Sequence, residues 1–161
     1  MSVQKLILND FGCAIDYALI GIHCNLESYR LAYFLNRELQ IHLSRQPEDL
    51  DYGNHKFYEI FEWEDIHNFS TWHFVSNSCS VELASNENAN TLFSSQETVT
   101  TTFYLIPEYK KVNYFLKITD DAISDEQIQE LLKKIQNIPN VIATYSIDPM
   151  ELKSKNNLIF Y

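Results

Sequence analysis

Glu62-Trp63-Glu64-Asp65-Ile66-His67, followed by His73, is the densest run of carboxylates and imidazoles in the chain. Such groups can bind a metal ion or exchange protons. Their spacing argues against a metal: no H-x-x-x-H or H-E-x-x-H pair occurs, so zinc would need ligands converging from distant segments. Glu62 and Asp65 could still serve an enzyme with dispersed acidic residues, if folding brought both to one pocket. Cys24 beside His23 offers a thiol and a base. Neighbours on a strand point to opposite faces, so an inert, buried thiol is expected at Cys24. No Gly-x-Ser-x-Gly elbow is present for a serine nucleophile. The glycines are only Gly12, Gly21 and Gly53. They lie too far apart for a dinucleotide-binding or phosphate-binding loop, which needs glycine where the backbone meets phosphate. The sequence therefore assigns no catalytic residue, no metal ligand and no cofactor, and it leans away from an enzyme.

Surfaces offer more. At about 100° per residue, Glu27, Arg30, Arg37 and Glu38 form one polar stripe on a helix, and Phe34 falls inside it. Arg30 and Phe34 are four apart and so are neighbours on that surface. Aromatic residues and Arg are enriched at binding hot spots. Arg30, Phe34 and Arg37 are thus the candidate interaction surface, against the simpler readings that a loop covers Phe34 or that the helix is sandwiched between two layers. The tail, Leu158-Ile159-Phe160-Tyr161, is apolar and should dock, on a partner or, as the favoured expectation, on this chain's own core as an edge strand.

These residues need elements to hold them. Tyr17 to His23 reads as a strand, and Asn25 can cap a helix from Leu26 to Leu39. Tyr29, Ala32, Leu35 and Leu39 form its apolar stripe, widened by Leu31 and Tyr33. Ile41 to Arg45 reads as a short strand. Lys56 to Glu64 alternates, and Thr71 to Ser76 follows as a partner in an antiparallel meander. Thr101 to Ile106 and Val112 to Thr119 read as strands. Ser124 and Gln127 make a capping box. Ile128, Leu131, Leu132 and Ile135 then mark one face of a second helix, and Val141 to Ile147 is the last strand. Residues 46–54 and 84–98 read as mobile loops. The whole is one α+β domain over 1–161: two strand–helix–strand units around a meander, which the ferredoxin-like fold would satisfy.

The chain has 161 residues, 22 acidic and 12 basic side chains, and a net charge of −10. That charge opposes capture of nucleic acid or an anionic membrane, and no segment is apolar enough to predict membrane insertion. The N-terminal apolar stretch is too short for a signal core. Three cysteines with no C-x-x-C pair argue against a disulfide framework. A reducing cytoplasm is the expected compartment.

Ile106-Pro107-Glu108-Tyr109-Lys110-Lys111-Val112-Asn113-Tyr114 resembles the signature of the bacterial IPExxxVDY family. Leu19–Ile22, Tyr29–Leu31, Phe34–Asn36, Leu152–Lys155 and Asn157–Phe160 are similar to it as well. The resemblance implies a bacterial, cytoplasmic protein. It implies no substrate, cofactor or catalytic residue. Asn113 stands where the pattern has Asp. An amide neither titrates nor binds hard cations as a charge, yet it can keep a hydrogen bond. Ile106, Pro107, Glu108, Val112, Asn113 and Tyr114 are therefore expected to be structural.

The leading expectation is a non-enzymatic interaction or regulatory module with a protein partner or self-association. The alternatives are a small-ligand sensor of ferredoxin-like regulatory type and, with less support, the dispersed-carboxylate enzyme.

Overall fold

The computed structural model describes residues 17–84 and 98–160. Two helices, α1 (Ser28–Leu39) and α2 (Asp125–Gln136), accompany a mostly antiparallel set of strands, so the fold is α+β. The strands of the main sheet are β1 (Tyr17–Cys24), β2 (Ser44–Arg45), β5 (Ile60–Asp65), β6 (Ser70–Ser76), β9 (Tyr114–Thr119) and β10 (Val141–Ile147). Their order is β10-β1-β9-β6-β5-β2, and every neighbouring pair is antiparallel. It follows that β9 and β10 run parallel on either side of β1, with α2 joining them. Likewise β1 and β6 run parallel on either side of β9. Among the described residues, two ribbons accompany this sheet: β3 (Leu50–Asp51) with β4 (Phe57–Tyr58), and β7 (Ser78–Ala84) with β8 (Thr98–Tyr104).

Leu19 to Ile22 are all buried because the central strand β1 is covered on both faces. Alternation sends Ile20, Ile22 and Cys24 into a core shared with Phe74, Leu116, Leu31, Leu35 and Ile135 of the helix layer. It sends Leu19 the other way, into a second core with Val75, Phe115, Ile106, Val112 and Leu158. Each fully buried side chain of this size contributes about 1.5–3 kcal/mol, so both faces matter to stability. Gly21 lies on the second face. A Cβ there would sit 2.9 Å from Ile147 Cδ1 and 3.2 Å from Val112 Cγ2, so glycine lets those side chains reach the strand.

The second helix follows its sequence closely. Ser124 Oγ accepts from Gln127 N–H at 3.3 Å, and Gln127 Oε1 accepts from Ser124 N–H at 2.8 Å. The turn after it carries Pro139 and then Asn140 at φ 68°, closed by Val141 N–H donating to Ile138 C=O at 3.2 Å. Proline followed by a left-handed residue is the pattern of a type II turn.

Other boundaries move. Asn25 does not cap α1; Glu27 holds the cap position without a side-chain bond, and Gln40 at φ 55° ends the helix. The alternating run at Lys56 to Glu64 breaks at Glu59. Its first part pairs in the small ribbon and its second in the main sheet. The strand expected at Thr101 to Ile106 runs from Thr98 to Tyr104 and pairs with β7, outside the main sheet. Residues 46–54 are no free loop, because β3 lies inside them and Tyr52 O–H donates to Asn157 C=O. Of the other expected loop, Ala84 and Thr98 end the ribbon strands, and 85–97 lie outside the described residues. Among the described residues, no helix is long and apolar enough to cross a membrane.

Candidate functional site

The signature stretch is a structural knot. Pro107 opens a single 3₁₀ turn, Pro107–Tyr109, where its missing N–H costs nothing. Glu108 turns back to the C-terminal segment and accepts from Ser154 N–H at 2.8 Å and Ser154 Oγ–H at 2.9 Å. Burial works against its charge, but these bonds and others from nearby backbone hold its carboxyl below the ordinary value. Ile106 and Val112 are buried in the second core. Asn113 Oδ1 accepts from Cys24 N–H at 3.0 Å, an acceptor role that needs no negative charge. Tyr114 O–H donates to Leu26 C=O at 2.8 Å, and burial pushes its pKa up to about 12.

One residue of this knot escaped the sequence reading. Asn77, fully buried between β6 and β7, donates through Nδ2 to Tyr109 C=O at 2.9 Å and Val112 C=O at 2.8 Å. Its Oδ1 accepts from Ile106 N–H at 2.8 Å. A lone Asn flanked by serines carries no mark of burial; its partners lie some thirty residues away, as with the separation of 29 to Ile106.

The acidic and imidazole set disperses. Glu62 pairs with His73 at 3.1 Å, whereas Asp65 accepts from His67 N–H, Asn68 N–H and Asn68 Nδ2 within its own turn. Glu62 and Asp65 stand three apart on one strand, so their side chains leave opposite faces. The two-carboxylate enzyme reading thus has no shared pocket at these residues. Among the described residues, no group of three or more His, Cys, Asp or Glu is placed to hold a metal ion. Cys24 is 2% exposed, and burial pushes its thiol pKa up.

The outer face of α1 differs from its helical-wheel reading. Ser28, Leu31, Ala32 and Leu35 are the buried positions. Tyr29 and Tyr33, assigned to the buried stripe, are instead 63% and 61% exposed. Phe34 is half-buried against the helix-side core, with Arg37 5.0 Å above its ring and Tyr33 edge-on at 5.6 Å. Arg37 also lies 6.0 Å from the Tyr33 ring and bonds Glu38 at 2.7 Å. Arg30 is exposed. The stripe presented outward is therefore Tyr29, Tyr33 and Arg37, at i, i+4 and i+8, with Arg30 beside it.

The tail docks on its own chain. Leu158 is fully buried, Asn157 Nδ2 donates to Leu105 C=O at 2.8 Å, and Lys117 Nζ donates to Leu158 C=O at 2.7 Å. Phe160 packs 5.0 Å from His73. It does so through a 3₁₀ turn, Lys155–Leu158, and forms no edge strand.

A cleft opens where the C-terminal end of α1, the β5–β6 hairpin and α2 meet, with a volume of about 480 Å³. Its apolar lining is Leu39, Ile41, Trp63, Trp72, Ile123 and Leu131. Asp65, Asp120, Gln127, Glu130 and Lys134 supply polar groups. Sequence periodicity could not bring these together, since they come from segments dozens of residues apart.

No protein-family model, curated protein or solved structure matches the chain. Its functional reading rests on its own geometry.

Proposed function

We propose that this chain is a non-enzymatic protein-interaction module of ferredoxin-like fold that docks a protein partner through the outer face of α1. The observation that carries the reading is the exposed pair Tyr29 and Tyr33 in line with Arg37 on one rigid helix. Tyrosine and arginine are the residue types that dominate binding hot spots, and both tyrosines spend apolar area on solvent. The strand order β10-β1-β9-β6, with a helix after β1 and another between β9 and β10, supports the fold assignment. The reading includes membership of the bacterial IPExxxVDY family, supported by the Ile106–Tyr114 stretch, and a cytoplasmic home, supported by the free thiols Cys24 and Cys79.

The test compares partner recovery by tagged wild type, Tyr29→Ser/Tyr33→Ser, and a control, Met150→Ser, at a site that is 65% exposed. Because both tyrosines are exposed, the double variant should keep its stability within about 0.5 kcal/mol. Losing one hot-spot residue of about 2 kcal/mol weakens binding about 30-fold, so partner recovery or self-association should collapse for the double variant alone. An unchanged set of partners for the double variant sinks docking through α1.

A second reading, a small-ligand sensor, is favoured by a separate observation: both tryptophans of the chain line the cleft beside α2.

A further inference from the structure

We infer that the cleft between the β5–β6 hairpin and α2 binds a small organic cation, an alkylated ammonium on a short apolar body. This names the ligand class of the sensor reading and is independent of the α1 face.

The cleft concentrates aromatic surface. Trp63 and Trp72 lie 6.0 Å apart with their planes at 47°. Trp72 is 9% exposed, and its Nε1–H donates to Ser70 Oγ at 3.1 Å. That donor is spent, and because Trp72 is a buried core residue, the indole surface open to the cleft is chiefly that of half-buried Trp63. Indole faces attract cations, and alkylated ammonium groups are the ligands that aromatic cages recognise best. A volume of about 480 Å³ lies within the usual range for small-ligand sites, roughly 300–1,000 Å³.

Charge decides the sign of the ligand. Asp65, Asp120 and Glu130 line the cleft with one cation, Lys134. Lys134 pairs with Glu130 at 3.0 Å, so these two largely neutralise each other. The carboxylates of Asp65 and Asp120 remain. Asp65 is held below its ordinary pKa, chiefly by the Asn68 side-chain amide, and stays ionised at neutral pH. An anion entering here would meet two carboxylates that hydrogen-bond within their own turns but have no ion-pair partner among the described residues. A hard metal ion would find no ligand set, since no three donors converge among the described residues. A soft cation with methyl groups satisfies both halves of the lining: carboxylates at long range and indole faces at contact.

The test is a titration of the intact protein followed by tryptophan fluorescence and calorimetry. The probes are choline and 3,3-dimethylbutan-1-ol, which has the same shape without the charge. Choline should give a saturable change and bind about tenfold tighter than the neutral probe, and salt should weaken it. Asp65→Asn keeps Oδ1 for the N–H groups of His67 and Asn68 and gives up only the Oδ2 bond from Asn68 Nδ2, and Asp120→Asn keeps Oδ1 for Ala122 N–H, so both should fold; each should weaken choline severalfold and leave the neutral probe unchanged. Trp63→Leu should weaken both probes. Equal binding of the two probes overturns the cation assignment but leaves a small-ligand cleft standing. No saturable response to either overturns both the inference and the sensor reading. Choline binding that ignores both carboxylate variants also overturns the inference.

Discussion

Asn77 ties together the segment that builds the second core, and Asn113 ties the end of β1 to the start of β9, each through side-chain hydrogen bonds to backbone. Replacing Asn77 by Ala removes all three bonds of a fully buried side chain. A buried polar group left unpaired costs about 1–3 kcal/mol. Val112 C=O and Ile106 N–H lose their partner, while Tyr109 C=O keeps Val112 N–H at 3.0 Å, so Asn77→Ala should lower the unfolding free energy by about 2 kcal/mol or more in a urea titration. Asn113 gives the opposite expectation in the same experiment. Its Oδ1 only accepts, from Cys24 N–H, and a carboxylate accepts equally well. Asn113→Asp, which restores the residue of the signature it resembles, should stay within about 0.5 kcal/mol of wild type at neutral pH. A large loss for Asn113→Asp would mean that the amide is needed for something beyond this bond. At this scale the sequence marked the signature as structural because Asn113 stands where the pattern has a carboxylate, and an amide keeps only the hydrogen bond. It could not mark Asn77, whose role exists only once β6, β7 and the 3₁₀ turn meet.

Elements were legible where short-range chemistry controls them. Ser124 and Gln127 sit three apart, and that spacing alone builds the capping box of α2. Val141–Ile147 alternates and forms β10 over those residues. The start of α1 was misread because Asn25 has the right side chain two residues too early; the chain between Cys24 and Glu27 is occupied with other contacts, including Asn25 N–H to Asn140 C=O at 3.4 Å. The wheel of α1 was misread for a related reason. Tyrosine counts as apolar in a periodicity, yet Tyr29 and Tyr33 lie off the arc centred on Leu31 and Leu35. Paired substitutions separate a real cap from a false one. Ser124→Ala should cost about 1 kcal/mol, measured by thermal or urea unfolding. Asn25→Ala should cost less than about 0.5 kcal/mol. Equal losses at both sites would restore Asn25 as the cap of α1.

For the molecule as a whole, the decisive property is a sheet buried on both faces, with its C-terminal segment fastened to the second. His73 sits at that fastening. Glu62 Oε2 lies 3.1 Å from its Nε2, Lys117 faces it across the β6–β9 pair, and the Phe160 ring lies 5.0 Å away. Burial lowers its pKa from the ordinary 6.5; the Glu62 carboxylate raises it part of the way back and Lys117 lowers it again, leaving a net fall. The folded chain therefore releases its proton at a pH where the unfolded chain still holds one. Between the lowered folded value and 6.5, the unfolded state binds more protons, so stability rises with pH. The contribution is complete above the unfolded value and is lost as pH falls through the folded one. Asp65 and Glu108 titrate lower: their carboxyl values lie below the ordinary 3.8 and 4.5, so their contributions are lost only under stronger acid. The range from pH 7.5 down to about 5 therefore isolates His73 from these carboxylates. Wild type should lose stability across that range in urea titrations, and the hydrogen-exchange protection factors of residues 155–160, taken relative to the intrinsic rate at each pH, should fall with it. His73→Gln keeps a group able to hydrogen-bond Glu62 but does not titrate, so its stability should change less over the same range. If the two proteins show the same pH slope, or if acidification stabilises wild type, His73 does not control the docking of the tail.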